Sequence, residues 1–313
     1  MHLIIDADPI VYRAGFASER TDYHLILETP AGALLEKHFT ARPGKTAGAQ
    51  MKDYLDKHKG FDILSKEKLI HPDSEEECLN AVRTQINAIE KACRESPAIG
   101  DLTGITTILS GPGNYREGLA TVFPYKGNRD PEHKPHWYQS IRNLLTGEFA
   151  ARVVHGREAD DECSILGWQH IAAGTSFVIA TIDKDLDQIP GLHYNYHRCV
   201  VYRQSREAAR MFFWQQALSG DPTDGIPGCW RTGELKAAAF VDDYAGESDA
   251  VIWQELVQRY RDSQEIPGCP YERCKPEAVA LETARLVYLQ KQPYELWNPP
   301  GTPFGTIGDE DDK

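Results

Sequence analysis

The chain has 313 residues, of which 41% are hydrophobic, enough for one large α/β domain or one domain carrying a smaller C-terminal extension. Its formal net charge of −13 argues against a protein that holds nucleic acid by general positive charge, because phosphate contacts draw on Lys and Arg. No apolar run reaches membrane-spanning length, and the N-terminus enters His2-Leu3-Ile4-Ile5 without the basic start and apolar stretch of a secretory signal, so a cytoplasmic protein with no membrane partner is expected.

Leu3 to Ile5 is the first predicted strand. Tyr23 to Thr40 reads as a hairpin around Pro30-Ala31-Gly32, and the polar stretch Arg42 to Ser74 has few apolar anchors, which marks an insertion at about residues 20–100. Further apolar runs at Ile105 to Leu109, Arg152 to Val154 and Phe177 to Ala180 predict strands. Helical patterns at Cys78 to Ala92, Trp137 to Leu145 and Asp161 to Ala172 separate them, and such alternation implies a mostly parallel sheet. Beyond Gly220 the pattern is helical, and a loop rich in Pro and Gly, Asn298 to Gly308, leads to the acidic run Asp309 to Asp312. The seven cysteines, scattered from Cys78 to Cys274, read as reduced thiols; Cys269 and Cys274 lack the second Cys or His pair that a zinc site needs.

Acidic residues fall at the carboxyl ends of predicted strands, the edge where an open parallel sheet binds ligands. Asp6 and Asp8 follow the first strand; Glu158, Asp160 and Asp161 follow Arg152 to Val154 and open a helix; Asp183 and Asp185 follow Phe177 to Ala180. Singly, each has an ordinary structural explanation, since Asp and Glu cap helices and Asp forms turns. Capping does not predict that separate clusters gather at one edge. Carboxylates packed this closely raise one another's pKa values unless hard divalent cations sit among them, so Mg²⁺ or Mn²⁺ is the expected cofactor. His155 is the nearest candidate for a softer metal, and reads first as a satisfied histidine at a strand end.

At this point the chain resembles the 5′-nuclease, or flap endonuclease, family, which includes phage 5′ to 3′ exonucleases and the 5′-nuclease domain of bacterial DNA polymerase I. Leu3-Ile4-Ile5-Asp6 is similar to its N-terminal motif, Tyr125-Lys126-Gly127-Asn128-Arg129 to the basic motif at the base of its arch, and Glu158-Ala159-Asp160-Asp161 to its acidic signature. Thr181-Ile182-Asp183-Lys184-Asp185-Leu186-Asp187-Gln188 resembles its second acidic motif, and Gly220-Asp221-Pro222-Thr223-Asp224-Gly225-Ile226-Pro227-Gly228 its helix-three-turn-helix. The C-terminal Ala284-Arg285-Leu286-Val287-Tyr288 with Trp297 is similar to small phage exonucleases.

The resemblance implies a PIN-like α/β fold, a mostly parallel central sheet with helices on both faces, over residues 1–205, then a helical region with the helix-three-turn-helix over 206–297 and a tail over 298–313. It implies metal ligands at Asp6, Glu158, Asp160, Asp161, Asp183, Asp185, Asp221 and Asp224, to which position adds Asp8; two Mg²⁺ or Mn²⁺ ions; and a candidate K⁺ site at the helix-three-turn-helix. Lys126 and Arg116 are expected to add positive charge at the scissile phosphate, with Tyr125 stacking on a terminal base. Arg129, Lys134, Gly225, Gly228, Arg231, Gly233 and Lys236 are the expected contacts to nucleic acid.

The implied activity is hydrolysis of DNA at or near 5′ ends, as a 5′ to 3′ exonuclease or flap endonuclease, with RNA in RNA–DNA hybrids a candidate further substrate. The implied partners are duplex DNA with a 5′ end or flap and single-stranded DNA. A monomer is expected, in the bacterial host's cytoplasm if the chain is phage-encoded. Three departures stand out: Gly111-Pro112-Gly113 where relatives often carry another Asp, Arg231 at the first of a usual glycine pair, and an interval of about residues 126–150, including His133, His136, Trp137 and Arg142, short for the family's arch. A PIN-type ribonuclease would share the acidic edge but has no need of residues 220 to 233. A non-catalytic DNA-structure binding protein would be favoured by the missing acid at Gly111, and a small-molecule phosphatase leaves the basic motif unexplained.

Overall fold

The structure, a computed structural model, describes residues 1–41, 45–129, 134–303 and 305–307. His133, the first residues of the polar stretch from Arg42 and the acidic run Asp309 to Asp312 lie outside the described residues.

The chain opens with β1 (His2–Asp6) and α1 (Asp8–Ala17), followed by β2 (Glu19–Glu28), β3 (Leu34–Phe39), α2 (Ala47–Lys57), β4 (Asp62–Pro72) and α3 (Glu75–Glu95). Next come β5 (Gly104–Ser110), the short α4 (Arg116–Leu119), α5 (Tyr138–Glu148), β6 (Arg152–Val154), α6 (Ala159–Ala172) and β7 (Phe177–Thr181). A 3-10 turn over Lys184–Gln188 leads to β8 (Gly191–Asn195), β9 (Val200–Gln204), α7 (Arg206–Ser219) and α8 (Glu234–Asp243). The last elements are α9 (Asp249–Gln264), α10 (Pro276–Val287) and the small pair β10 (Glu295–Leu296) and β11 (Gly305–Thr306).

Two compact units emerge. The larger comprises Met1–Pro9 with the described parts of Asn87–His133 and Leu145–Lys313. Its sheet has the order β6-β5-β1-β7-β8-β9, parallel throughout except for β9, which runs antiparallel to β8. Every residue of β7 and Leu3, Ile4 and Ile5 of β1 are buried, as the unbroken apolar runs of a covered parallel sheet require. Helix α6 supplies Ala159 and Cys163 to a core with Ile4, Ile108, Val154 and Ile179. From β1 the chain steps outward through β5 and β6 and then returns to the opposite side as β7 and β8. Strand order therefore reverses at β1, and the crevice at the carboxyl ends of β1 and β7 is where such a sheet takes its ligand.

The helical part of the same unit has its own core, with Trp214, Leu218, Phe240, Ile252, Leu256 and Tyr260 fully or almost fully buried. Ser205 and Ser248 start α7 and α9 by accepting Ala208 N–H (3.0 Å) and Val251 N–H (3.4 Å), and Pro276 occupies the first turn of α10, where its missing N–H costs nothing. All seven cysteines are unpaired thiols. Among the described residues no helix is long and apolar enough to cross a membrane.

The smaller unit, Ile10–Ile86 and Lys134–Leu144, holds an antiparallel sheet in the order β3-β2-β4. Leu25, Leu27 and Phe39 on one face pack against Ala47 and Met51 of α2, whose start is capped by Thr46. The hairpin expected around Pro30-Ala31-Gly32 is β2–β3, and Gly32 takes the left-handed conformation its turn needs (φ +75°). The polar stretch that follows supplies a helix and a strand. Strand β4 is exposed along its whole length and is held to β2 by backbone pairing from Glu19/Pro72 to Glu28/Asp62, so its sequence needs few buried anchors. Residues 134–144 attach through Trp137 Nε1, which donates to Asp73 O (3.0 Å), and through Pro135, which fills the space a Cβ at Gly15 would occupy.

Candidate active site

The acids at the strand ends meet in the larger unit. Asp6 ends β1 almost fully buried, and its carboxylate accepts the Thr181 hydroxyl from β7 (3.0 Å) and Asp8 N–H (3.3 Å). Asp8, at the start of α1, accepts Ser110 N–H from β5 at 3.2 Å on both oxygens. Ser110 Oγ in turn accepts Ala159 N–H (2.8 Å), fixing the start of α6 against the sheet edge. Thr181 and Ser110 thus tie three strand ends and a helix into one rim, a role that their positions beside the acidic motifs did not announce.

From β7 the chain turns through Asp183, which accepts Asp185 N–H (2.9 Å), and Asp185 accepts Gln216 Nε2 from α7 (2.6 Å). Between α7 and α8 lies the glycine-rich turn. Asp221 and Ile226 pair backbone to backbone, and Asp221 accepts Thr223 N–H (2.8 Å). Gly220 and Gly228 pass so close that a Cβ on Gly228 would sit 2.3 Å from Gly220 N, which is why this motif needs glycine at both. Gly225 and Gly228 are left-handed, Gly233 precedes the first residue of α8, and exposed Arg231 holds φ +58° itself, with Lys236 Nζ donating to its carbonyl (3.0 Å). The backbone of the usual glycine is kept there with a cationic side chain added.

Two kinds of carboxylate share the crevice. Glu158, Asp161 and Asp224 are ion-paired. Asp161 is fully buried and bound bidentately by Arg116 (2.6 and 2.9 Å), whose guanidinium also donates to Leu286 O and Tyr288 O (2.8 Å each). Glu158 accepts Tyr125 OH (2.6 Å) and bonds Lys126 Nζ; although burial works to raise its pKa, Lys126 and Arg116 outweigh this and hold it at about 2. Asp224 accepts the same tyrosine hydroxyl (2.8 Å), pairs with Arg129, and lies 3.5 Å from Lys126. Lys126 stands in a left-handed conformation (φ 53°), anchored by its N–H to Asp224 O (2.7 Å).

The second kind lacks such partners. Burial, then Asp8 and Asp183, push Asp6 well above the usual carboxylate range; burial, then Glu158 and Asp161, do the same to Asp160. Asp185 is pushed up to about 8 by burial and by Asp183, Asp221 and Asp224, and Asp183, more exposed at the mouth, is raised by desolvation and by Asp224 and Asp221. Asp160, Asp185, Asp221 and Asp224 line a void of about 10 Å³ with Arg116 and Tyr125. These oxygen donors fit hard divalent cations, which would keep all of them ionised. Among the described residues no three of these acids bring oxygens within 4.8 Å of one another.

Three expected site residues are engaged within the protein. Arg116 is 2% exposed, bonds Asp161 and the carbonyls of Leu286 and Tyr288 at the end of α10, and lies 3.6 Å from Glu158; both oxygens of Asp161 are taken by Arg116. Tyr125, half-buried, packs its ring against the helical core and uses its hydroxyl to bridge Glu158 and Asp224, while the same residue lines the groove beside Lys126. Lys134 lies in the smaller unit, its ammonium 5.0 Å from the Tyr138 ring.

At Gly111 the departure has a steric cause: its N–H bonds Val154 O (2.6 Å), and a Cβ would sit 2.2 Å from that oxygen, so no aspartate fits. The space is open groove instead, about 190 Å³ lined by Gly111, Gly113, Asn114, Lys126, Arg157 and Glu158. A larger cavity of about 380 Å³ lies among Trp168, Phe213, Trp214 and Trp297, but its one lining carboxylate, Asp249, is bonded to Arg210 and Trp214, so size does not locate the chemistry.

No family model and no curated protein matches the chain. Solved structures do, among them two from bacteriophage T5. The D15 protein co-crystallized with metal ions superimposes with TM-score 0.51 at 13% identity, covering 92% of this chain and 89% of that one. A variant of the T5 flap endonuclease, in a pseudo-enzyme–product complex with DNA and metal ions, gives TM-score 0.52 at 12% identity over the same shares. The chain therefore has the fold of the bacteriophage T5 flap endonuclease, the 5′-nuclease architecture that its acidic motifs resemble.

Proposed function

We propose that the chain is a divalent-metal-dependent 5′ nuclease that hydrolyses DNA phosphodiesters at or near 5′ ends. The observation that carries this reading is the convergence of Asp6, Asp160, Asp183, Asp185 and Asp221, acids without a cationic side chain of their own, beside Lys126. Asp6, Asp8, Asp160, Asp183, Asp185, Asp221 and Asp224 would hold two Mg²⁺ or Mn²⁺ ions, directly or through water. When bound, these ions would neutralise the phosphodiester and lower the pKa of the attacking water. Lys126, held by Glu158 and Asp224, directs its ammonium toward the groove at Gly111–Gly113 and stabilises charge developing on a phosphate there. Tyr125, Arg116 and Asp161 keep that lysine and the acids in register.

The glycine turn between α7 and α8, with Arg231, Lys236 and the start of α8 after Gly233, suits the duplex backbone, giving contacts that position DNA without reading its sequence. Its carbonyl-rich turn is also the candidate K⁺ site. Arg129 would follow the strand leading to the cut, and RNA in hybrids is accommodated by the same backbone contacts. Domain roles follow: residues 1–205 carry the chemistry together with Asp221 and Asp224, with a reduced arch at about 126–150, of which 130–133 lie outside the described residues, while residues 206–297 hold duplex and 298–313 are the tail.

The test is cleavage of 5′-labelled duplex, 5′-flap and single-stranded DNA with Mg²⁺, with EDTA, and with Asp183→Asn beside the wild type. Release of 5′ products that requires Mg²⁺ and falls at least about 100-fold in the variant is expected. Intact DNA under every condition would leave a protein that binds DNA structure without cutting it.

A further inference from the structure

One face of the three-stranded sheet in the smaller unit is covered by α2; the other carries a different chemistry. On it His24, in the central strand β2, stands directly opposite His38 of β3 and Glu67 of β4. Glu36 lies two residues from His38 and so shares that face. His24 Nε2 is 2.6 Å and His38 Nε2 3.5 Å from the same oxygen of Glu36, and the two imidazoles stack with centroids 4.1 Å apart and planes 8° from parallel. The donor atoms of His24, Glu36 and His38 lie within 4.8 Å of one another, the only such group of three among the described residues.

Hydrogen bonding does not account for this cluster. His24 Nε2 is buried and has no hydrogen-bond partner, because the nearby Glu36 oxygen lies off the direction its N–H could take. A buried ring nitrogen held against a carboxylate without a bond costs stability, and a bound cation would satisfy both at once.

We propose that His24, Glu36 and His38 form a binding site for a transition-metal ion of the zinc class, with a water completing the tetrahedron. Two imidazoles and one carboxylate are the donor set that selects such an ion over Mg²⁺, which takes oxygen ligands. Ligands at about 2.0–2.1 Å from zinc are about 3.3 Å apart along a tetrahedral edge. The His38–Glu36 separation of 3.5 Å already matches, and the His24–Glu36 contact opens to it by rotation of Glu36, whose side chain is 64% exposed. Glu67 stands 3.8 Å from Nδ1 of His24, the place from which a carboxylate orients a metal-bound imidazole and fixes its tautomer. The ion would brace β2 against β3, in a unit whose own apolar core is small. This site is independent of the nuclease reading, since it shares no residue with the acidic crevice.

The test is zinc titration of the full chain, stripped with chelator, by calorimetry in excess Mg²⁺ so that oxygen-only sites are filled. Binding of one zinc equivalent is expected, weakened at least about tenfold in His38→Ala and in Glu36→Gln. Both side chains are exposed, so these variants keep their circular dichroism spectrum. Co²⁺ would report the site directly, by a tetrahedral d–d absorption band without thiolate charge transfer, present in the wild type and lost in His38→Ala. Failure to bind zinc in the presence of Mg²⁺, zinc binding unchanged in both variants, or a thiolate band assigning the ion to cysteine would each overturn the proposal.

Discussion

Within one crevice, the acids near Lys126 and the acids at the sheet edge solve the same problem in opposite ways. Glu158, Asp161 and Asp224 hold their charge because the protein places Lys126, Arg116 and Arg129 against them. Among the described residues Asp6, Asp160, Asp183 and Asp185 have no such ion pair, and burial and their acidic neighbours raise their carboxyls. Under the nuclease reading, the acids left facing one another are those that would take a charge from bound cations. Position along the sequence does not separate the two kinds, since Glu158, Asp160 and Asp161 are neighbours; what separates them is which face of the α6 start each side chain leaves from.

The largest way to break this comparison is at Arg116. Arg116→Met would leave Asp161 buried without its counter-ion and the carbonyls of Leu286 and Tyr288 at the end of α10 without this donor. Breaking a buried pair from one side costs about 3–5 kcal/mol, so the chemical-denaturation midpoint of the full chain should fall by that equivalent. A loss below about 1 kcal/mol would mean that Arg116 is not structural and return it to the catalytic role read from the sequence.

Asp185 tests the other half. Its folded carboxyl titrates near 8, above the ordinary aspartate value, so the folded state holds a proton that the unfolded chain has released. Its contribution to stability is therefore full at acid pH and is lost as pH rises through about 8. Glu158 runs the other way: depressed to about 2, its contribution is present at neutral pH and is lost only as pH falls through that value. With chelator present, thermal melts should show the protein losing stability toward pH 8; Mg²⁺ should remove that loss, and Asp185→Asn should flatten it without Mg²⁺. A chelated wild type with no such decline would show that the sheet-edge acids are already compensated.

How much of this was legible in the sequence follows the same division. Strands β1, β5, β6 and β7 were, because a covered parallel sheet writes itself as apolar runs, and acids at their ends mark the ligand edge; β8 and β9, beyond the second acidic motif, were not read. The carboxylates could therefore be gathered, but not sorted. Arg116 and Asp161 find each other across 45 residues, and nothing local distinguishes a buried counter-ion from a ligand. Strand β4 was hidden for a related reason: its order comes from the backbone ladder to β2, which leaves no apolar period in its side chains. Gly111 and Arg231 each registered as a departure, and each has a backbone explanation, an approach too close for any Cβ at one and a left-handed residue that is not glycine at the other.

The smallest effect sharpens the comparison most, because it separates charge that builds the site from charge that serves it. Arg129 pairs with Asp224 as Arg116 pairs with Asp161, but its side chain is 47% exposed, and water screens the attraction that burial preserves for Arg116. Arg129→Ala should cost under about 1 kcal/mol in stability, since Asp224 keeps Tyr125 and Lys126 as partners. Under the nuclease reading the same change removes a cation that would otherwise meet phosphate, so DNA affinity should fall evenly across sequences and the salt dependence of binding should flatten by about one ion. Destabilisation as deep as that of Arg116→Met would make both arginines scaffold; an unaltered salt slope would leave Arg129 as the counter-ion of Asp224 and move the phosphate contacts to Lys126 and the turn before α8.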